Sequence, residues 1–344
     1  MGDSPILSVE NLAVELVTPE GTVKPVRDVS FTVNRGEAVG LVGESGSGKS
    51  VTVMSLLGLG RRDLFYRLSG KTVFEGIDLV AERGERLREI RGRNIGMVFQ
   101  DPSSFLNPVM TIGKTVLEAV TRGRRATPAD FEKRDTLLRD VGLGPDVATV
   151  AAHYPHQLSG GMKQRAMIAC ALAGDPELLI ADEPTTALDA TVQKQVLTVM
   201  RKLQRSRNMA MIFISHDLNV VSQICDKVVV MYAGRVVEKG PVEEVLHNPQ
   251  HPYTRALIRS SISFQTERGA PLNPIPGEVP DVFSIPPGCA FFPRCPLGVA
   301  DMCQAKVPAP VHVGPDHTVA CVFAGVGGEV ENQPVIWRSV DAPH

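Results

Sequence analysis

The chain has 344 residues, 43% of them apolar and 22% charged, the composition of an ordinary globular protein of roughly two domains. That balance excludes collagen-like, coiled-coil and wholly disordered chains. Thirty-six Lys and Arg against 38 Asp and Glu leave a net charge of −2, so no basic footprint for nucleic acid is present.

The longest run free of polar residues, Val319–Gly328, falls far short of the about 20 residues of a membrane-spanning helix. The opening MGDSPILSVE has two acids and no basic residue, which does not fit a signal peptide. The expectation is a cytoplasmic protein whose membrane role, if any, comes through a partner. In a reducing compartment its six Cys stay as thiols rather than disulfides.

In chain order, Ile6–Val17 and Thr22–Val33 alternate and predict an antiparallel edge sheet. Short continuous apolar runs follow at Glu37–Val42, Asn94–Phe99, Leu178–Ala181, Ala210–Ser215 and Lys227–Tyr232, as buried parallel strands require. Helical patterns at Lys49–Leu59, Ala190–Asn208 and Leu218–Asp226 alternate with them, which predicts an α/β fold. Between residues 101 and 165 the pattern is helical, with Met110–Thr121, Pro128–Val141 and a helix from about Ser159, an insert between two strands. Thirteen of the 26 Pro lie in residues 263–344, and four of the six Cys fall between Cys289 and Cys321. The chain is therefore divided into residues 1–262, which hold the large core, and a loop-rich tail, 263–344, that needs a staple.

Gly43-Glu-Ser-Gly-Ser-Gly-Lys-Ser50 fits the phosphate-binding pattern GxxxxGK[ST] between a strand and a helix. Gly43, Ser45, Gly46, Ser47, Gly48 and Val51 belong to a turn whose N–H groups converge on phosphate oxygens at a helix N-terminus. Lys49 is expected at the β- and γ-phosphates and Ser50 at Mg²⁺. Leu178-Leu-Ile-Ala-Asp182-Glu183 is an apolar strand ending in two acids. Asp182 suits the Mg²⁺ site, and Glu183 suits a base that deprotonates attacking water. No base-reading motif of a GTPase is seen.

Leu158-Ser-Gly-Gly-Met-Lys-Gln-Arg165 resembles the LSGG signature of ABC ATPases. The other marks of that family follow in its order: Gln100 at a strand end, Asp189 in Ala187-Leu-Asp189, and His216 in Ile-Ser-His-Asp. Singly, such Gln, Asp or His residues are ordinary polar groups; together and in order they identify the family over residues 6–262. The resemblance implies a P-loop ATPase fold that closes head to tail in pairs, with ATP between the loop of one subunit and Ser159, Gly160 and Gly161 of the other. It also implies that Gln100 and His216 sense the γ-phosphate and attacking water, with Gln100 near Mg²⁺. ABC ATPases usually stack an aromatic ring on adenine; the matching position here is Leu16, which packs without stacking.

Phe99-Gln-Asp-Pro-Ser-Ser-Phe-Leu-Asn-Pro108, His251-Pro-Tyr-Thr-Arg-Ala-Leu257 and Pro287-Gly-Cys-Ala-Phe-Phe-Pro-Arg-Cys-Pro296 resemble the oligopeptide/dipeptide/nickel importer ATPases. That subfamily implies a second homologous ATPase in a heterodimer, two transmembrane permease subunits and an extracytoplasmic substrate-binding protein. This chain would then lie at the cytoplasmic face of the membrane, energising peptide uptake. A soluble ABC ATPase without transport, or an importer of nickel or glutathione, are the competing readings.

Cys289, Cys295, Cys303 and Cys321 are spaced C-x5-C-x7-C-x17-C, neither a zinc ribbon nor a bacterial ferredoxin run. Four thiolates suit tetrahedral Zn²⁺ or a [4Fe–4S] cluster, and the subfamily resemblance implies the cluster; zinc and free thiols are the alternatives. His312 and His317 flank the last Cys and read as surface residues rather than ligands. Cys170 and Cys225 read as small core residues.

Overall fold

The computed structural model describes residues 5–59, 65–144, 146–260 and 274–324. They form two compact units interleaved along the chain. One comprises Met1–Leu7, Thr32–Ala38 and Phe74–Ile214; the other comprises Ser8–Phe31, Val39–Val73 and Ser215–His344. The division expected at residue 262 falls outside the described residues.

In the first unit, strands Ile95–Val98, Leu178–Asp182 and Ala210–Ser215 run parallel, with Ile95 opposite Leu178 and Leu178 opposite Ala210. The last two are buried at every position, hence their unbroken apolar sequences. Between the first two strands the chain forms helices Pro102–Phe105, Ile112–Thr121, Pro128–Asp140, Val147–Ala152 and Gly160–Ala171. Caps set where they begin. The helix expected from Met110 starts at Ile112, because Thr111 Oγ1 accepts the Lys114 N–H at 3.4 Å. Pro128 occupies the first turn of the next, behind a capping box in which Asp130 takes the Thr127 N–H at 2.8 Å. Asp189 opens Ala190–Ser206 by accepting from Thr191 and Val192.

In the second unit, Leu7–Thr18 and Gly21–Val33 are neighbours joined by a two-residue turn at Pro19-Glu20, which only antiparallel strands allow. Strand Ala38–Val42 pairs in parallel with Lys227–Tyr232, and Arg235–Pro241 returns antiparallel. Ala233 and Gly234, at φ 43° and 80°, make that return, a turn of the primed type that right-twisted hairpins favour.

The tail is less irregular than its sequence implies. His317–Val319 pairs antiparallel with Arg235–Pro241, and Val311–Gly314 adds outside it. Strands of three and four residues between prolines carry too little alternation to be read from sequence. His312 is exposed, as expected, but His317 is buried: its Nε2 lies 2.8 Å from Glu238 Oε1. Cys170 and Cys225 are buried, as expected of small core residues, and burial, reinforced by Glu118, pushes the Cys170 thiol up to about 12. Among the described residues no helix is long and apolar enough to cross a membrane.

Candidate functional site

The loop Gly43–Ser50 belongs to the second unit. It links the buried strand Ala38–Val42 to helix Lys49–Leu56. Two glycines are sterically required. A Cβ on Gly43 (φ 152°) would lie 2.3 Å from the Met231 carbonyl oxygen, and one on Gly48 (φ 100°) 2.4 Å from that of Pro25. Lys49 folds back over the loop, its Nζ donating to the carbonyls of Gly43 at 2.8 Å and Glu44 at 2.9 Å. This arrangement holds the ammonium against the carbonyls of the loop itself. Ser47 is buried, whereas Ser45, Gly46 and Ser50 are exposed and Val51 is half-buried.

Two residues from the C-terminal third fix the same loop. Tyr253 Oη accepts the Glu44 N–H at 2.8 Å, and Arg294 grips the Glu44 carboxylate with two nitrogens. Neither was a candidate from sequence. Both sit inside the quoted His251–Leu257 and Pro287–Pro296 stretches, so the motif runs marked the segments without giving the role. Leu16 is half-buried in Leu7–Thr18. His216 is exposed just after strand Ala210–Ser215.

In the first unit, Asp182 ends its strand buried, opposite Ile214. Glu183 follows at φ 44°, a conformation few non-glycine residues adopt, with its N–H bonded to the Ile214 carbonyl at 3.1 Å. Its Oε2 accepts from Gln100 Nε2 at 3.1 Å and Thr186 Oγ1 at 3.0 Å. Gln100 and Glu183, which belong to separate sequence motifs, are thus in contact, and Thr186, outside both motifs, joins them. Ser159 caps Gly160–Ala171, accepting the Met162 N–H at 3.3 Å. Ser159 and Gly160 are exposed; Gly161 is buried against Val192, where a Cβ would come within 2.3 Å. Asp189 is exposed and serves as the cap described above.

Cys289, Cys295, Cys303 and Cys321 line one small cavity with His251, Phe291 and Phe292. Burial raises the Cys289 thiol, pushes Cys295 up to about 12 and Cys321 up to about 11. Backbone N–H groups of Phe291 and Phe292 at Cys289, Leu297 at Cys295 and Phe323 at Cys321 oppose it. Among the described residues no group of three or more His, Cys, Asp or Glu is arranged to hold a metal ion, so the expected metal-binding character of the tail is not seen as a formed site.

Residues 26–186 match the ABC transporter family, and residues 237–303 match the oligopeptide/dipeptide transporter, C-terminal region. A putative peptide import ATP-binding protein of Brucella abortus (strain 2308) is 48% identical over 334 residues, 94% of this chain and 98% of that protein. The dipeptide transport ATP-binding protein DppD of Bacillus subtilis (strain 168) is 44% identical over 92% of this chain and 94% of its own length. Among solved structures, a dimeric ATP-binding cassette in a post-hydrolysis state with ADP and phosphate has a TM-score of 0.60 at 26% identity, covering 69% of this chain and 98% of that one. The cbiO1 subunit from Clostridium perfringens, part of a cbiONQ transporter complex, has a TM-score of 0.60 at 27% identity over 71% of this chain and 91% of its own. With a phosphate loop, an acid-ended strand and whole-length relatives in agreement, the chain belongs to the ABC transporter ATP-binding proteins, in the group that carries the oligopeptide/dipeptide transporter C-terminal region.

Proposed function

We propose that this chain is the ATP-hydrolysing subunit of an importer that takes up di- or oligopeptides. What carries the transport reading is its match, over more than nine-tenths of its length, to proteins named for peptide import. What supports the catalytic reading is Glu183, oriented by Gln100 and Thr186 at the end of a buried strand.

In this reading Lys49 and the N–H groups of residues 43–51 bind the phosphates of ATP. Ser50, Gln100 and Asp182 serve Mg²⁺, and Glu183 takes the proton of the attacking water. His216 contacts the γ-phosphate, Leu16 packs on adenine, and Ser159, Gly160, Gly161 and Asp189 face the nucleotide of the opposing subunit. That subunit is a second homologous ATPase, and the pair works on two permease subunits fed by an extracytoplasmic binding protein. The chain then sits peripherally at the cytoplasmic face of the membrane, with residues 1–262 as the ATPase domain, a helical subdomain at about 101–165, and 263–344 as a regulatory tail.

Cys289, Cys295, Cys303 and Cys321 would hold a [4Fe–4S] cluster in that tail, which would supply a covalent staple to a segment poor in core. Supporting this, the four thiols share one cavity, and three accept backbone N–H donors of the kind that tune cluster sulfurs.

The test is reconstitution with the partner ATPase and permease in proteoliposomes. Dipeptide-loaded binding protein should stimulate ATP hydrolysis and drive dipeptide across the membrane. Hydrolysis that ignores the loaded binding protein, from a chain that never co-purifies with permease, overturns the transport reading.

A further inference from the structure

A cavity of ≈ 490 Å³ lies within the second unit, walled by strand Gly21–Val33, strand Arg235–Pro241 and the tail. Its size falls in the range of small-molecule sites. Three cations line it: Arg27, Arg235 and Lys239. The fold gives them little in return for their desolvation. Arg27 donates through Nε to the Ala233 carbonyl at 2.8 Å, has no carboxylate partner among the described residues, and keeps a buried Nη2 without a hydrogen bond. Lys239 donates to the Ser30 carbonyl at 3.0 Å and has no carboxylate partner among the described residues. Arg235 pairs with the exposed Asp28 at 3.2 Å, yet its Nε is also buried and unbonded.

The second acid on the wall, Glu238, is already engaged. It is fully buried, and its oxygens accept the Gln250 N–H at 2.7 Å and the His251 N–H at 2.9 Å, with His317 Nε2 at 2.8 Å. Three cations therefore face one exposed carboxylate and one that is occupied. Burial, reinforced by Arg235, brings the Arg27 guanidinium down to about 10; burial, reinforced by Lys227, lowers Lys239. Half-buried positive charge without a counter-charge is unfavourable unless something anionic completes it. Most of the rest of the wall, including Phe291, Pro308 and Val319, is apolar, with Asn11, Ser30, His251 and Thr318 as polar exceptions.

We propose that this cavity binds a small organic anion, its carboxylate or phosphate group held by Arg27, Arg235 and Lys239 and its body lying against Phe291, Pro308 and Val319. Guanidinium groups suit either oxyanion through paired N–H donors. The site is separate from the phosphate loop and does not rest on the peptide-import reading. Because the wall joins core strands to the tail, occupancy would tie the two together.

The test uses the full chain with its nucleotide site filled by a magnesium complex of a non-hydrolysable ATP analogue. Inorganic phosphate, citrate and dialanine are titrated separately by calorimetry. At least one should bind with a Kd below about 1 mM. Phosphate alone binding identifies a phosphoryl ligand; citrate or dialanine binding identifies a carboxylate ligand. Arg27→Gln should weaken the bound probe about tenfold without changing affinity for the ATP analogue. Arg235→Lys, which keeps the cation and its Asp28 pairing while deleting the unmet Nε–H, should weaken it too, and serves if Arg27→Gln does not fold. No binding of any probe up to about 10 mM, or binding unchanged in the folded variants, overturns the proposal.

Discussion

Arg294, the residue before Cys295, holds the second residue of the phosphate loop: its Nη1 and Nη2 lie 2.8 and 3.0 Å from the two carboxylate oxygens of Glu44. The arginine side chain is only 4% exposed. Its remaining donors reach the Tyr232 hydroxyl at 3.2 Å and the carbonyls of Pro276 at 2.8 Å and Ile275 at 3.2 Å. Its guanidinium carbon stands 5.9 Å from the ring centres of both Tyr232 and Phe291. A tail residue embedded this way orients the loop that the catalytic reading depends on.

Removing the arginine leaves a partly buried carboxylate without its donors, a cost of about 1–3 kcal/mol. Arg294→Ala is therefore expected to raise the KM for ATP about tenfold, with a smaller change in kcat. Arg294→Lys keeps the charge but loses the planar fork and should fall between. Steady-state kinetics alongside thermal melts separate this from general loss of fold: equal losses in kcat and KM terms with a lowered melting point would remove the positioning role.

Glu183→Gln keeps the shape of the side chain and can still meet Gln100 and Thr186, but it cannot take a proton. Hydrolysis should fall by about 10²–10⁴-fold while ATP binding persists, measured by phosphate release and by retention of labelled ATP. Turnover near that of the unaltered chain excludes Glu183 as the base.

The sequence made the phosphate loop legible because its chemistry is contiguous: glycines, Lys49 and Ser50 act within one turn. The buried strands were legible because burial on both faces writes an unbroken apolar run. The Glu44–Arg294 pair was not, since its partners lie 250 positions apart and a lone Arg in a proline-rich segment has no periodicity. The left-handed backbone at Glu183 was equally hidden, because no glycine or asparagine marks it. The tail hairpin escaped for a third reason: its strands owe their pairing to the edge offered by Arg235–Pro241, a tertiary fact.

Asp130 gives a stability prediction with a pH sign. Arg124, at 2.6 and 2.7 Å, followed by the Thr127 hydroxyl and N–H, holds its carboxyl far below the usual carboxylate range. A depressed carboxyl stabilises the folded chain above its unfolded value of about 3.9 and loses that contribution as pH falls toward the folded value. Asp130→Asn should therefore melt lower than the unaltered chain at pH 7, with the gap narrowing below about pH 4. A gap that stays constant with pH would assign the effect to shape rather than to charge.

Arg294 joins the cysteine-bearing segment of the tail to the loop through Glu44. Cys295 follows Arg294 directly, and Cys289 donates its N–H to the Cys303 carbonyl at 2.8 Å, so the thiols and the Glu44 anchor share one short scaffold. Anaerobically purified protein is expected to be brown and to carry about four irons and matching sulfide per chain. Cys321→Ser should lower the iron content and its visible absorbance. Because Arg294 rides on the same scaffold, it should also raise the KM for ATP in the direction of Arg294→Ala. A colourless, iron-free chain that is folded and binds ATP normally defeats the cluster. An iron-loaded chain whose Cys321→Ser variant loses iron but keeps its KM defeats the link between tail and loop.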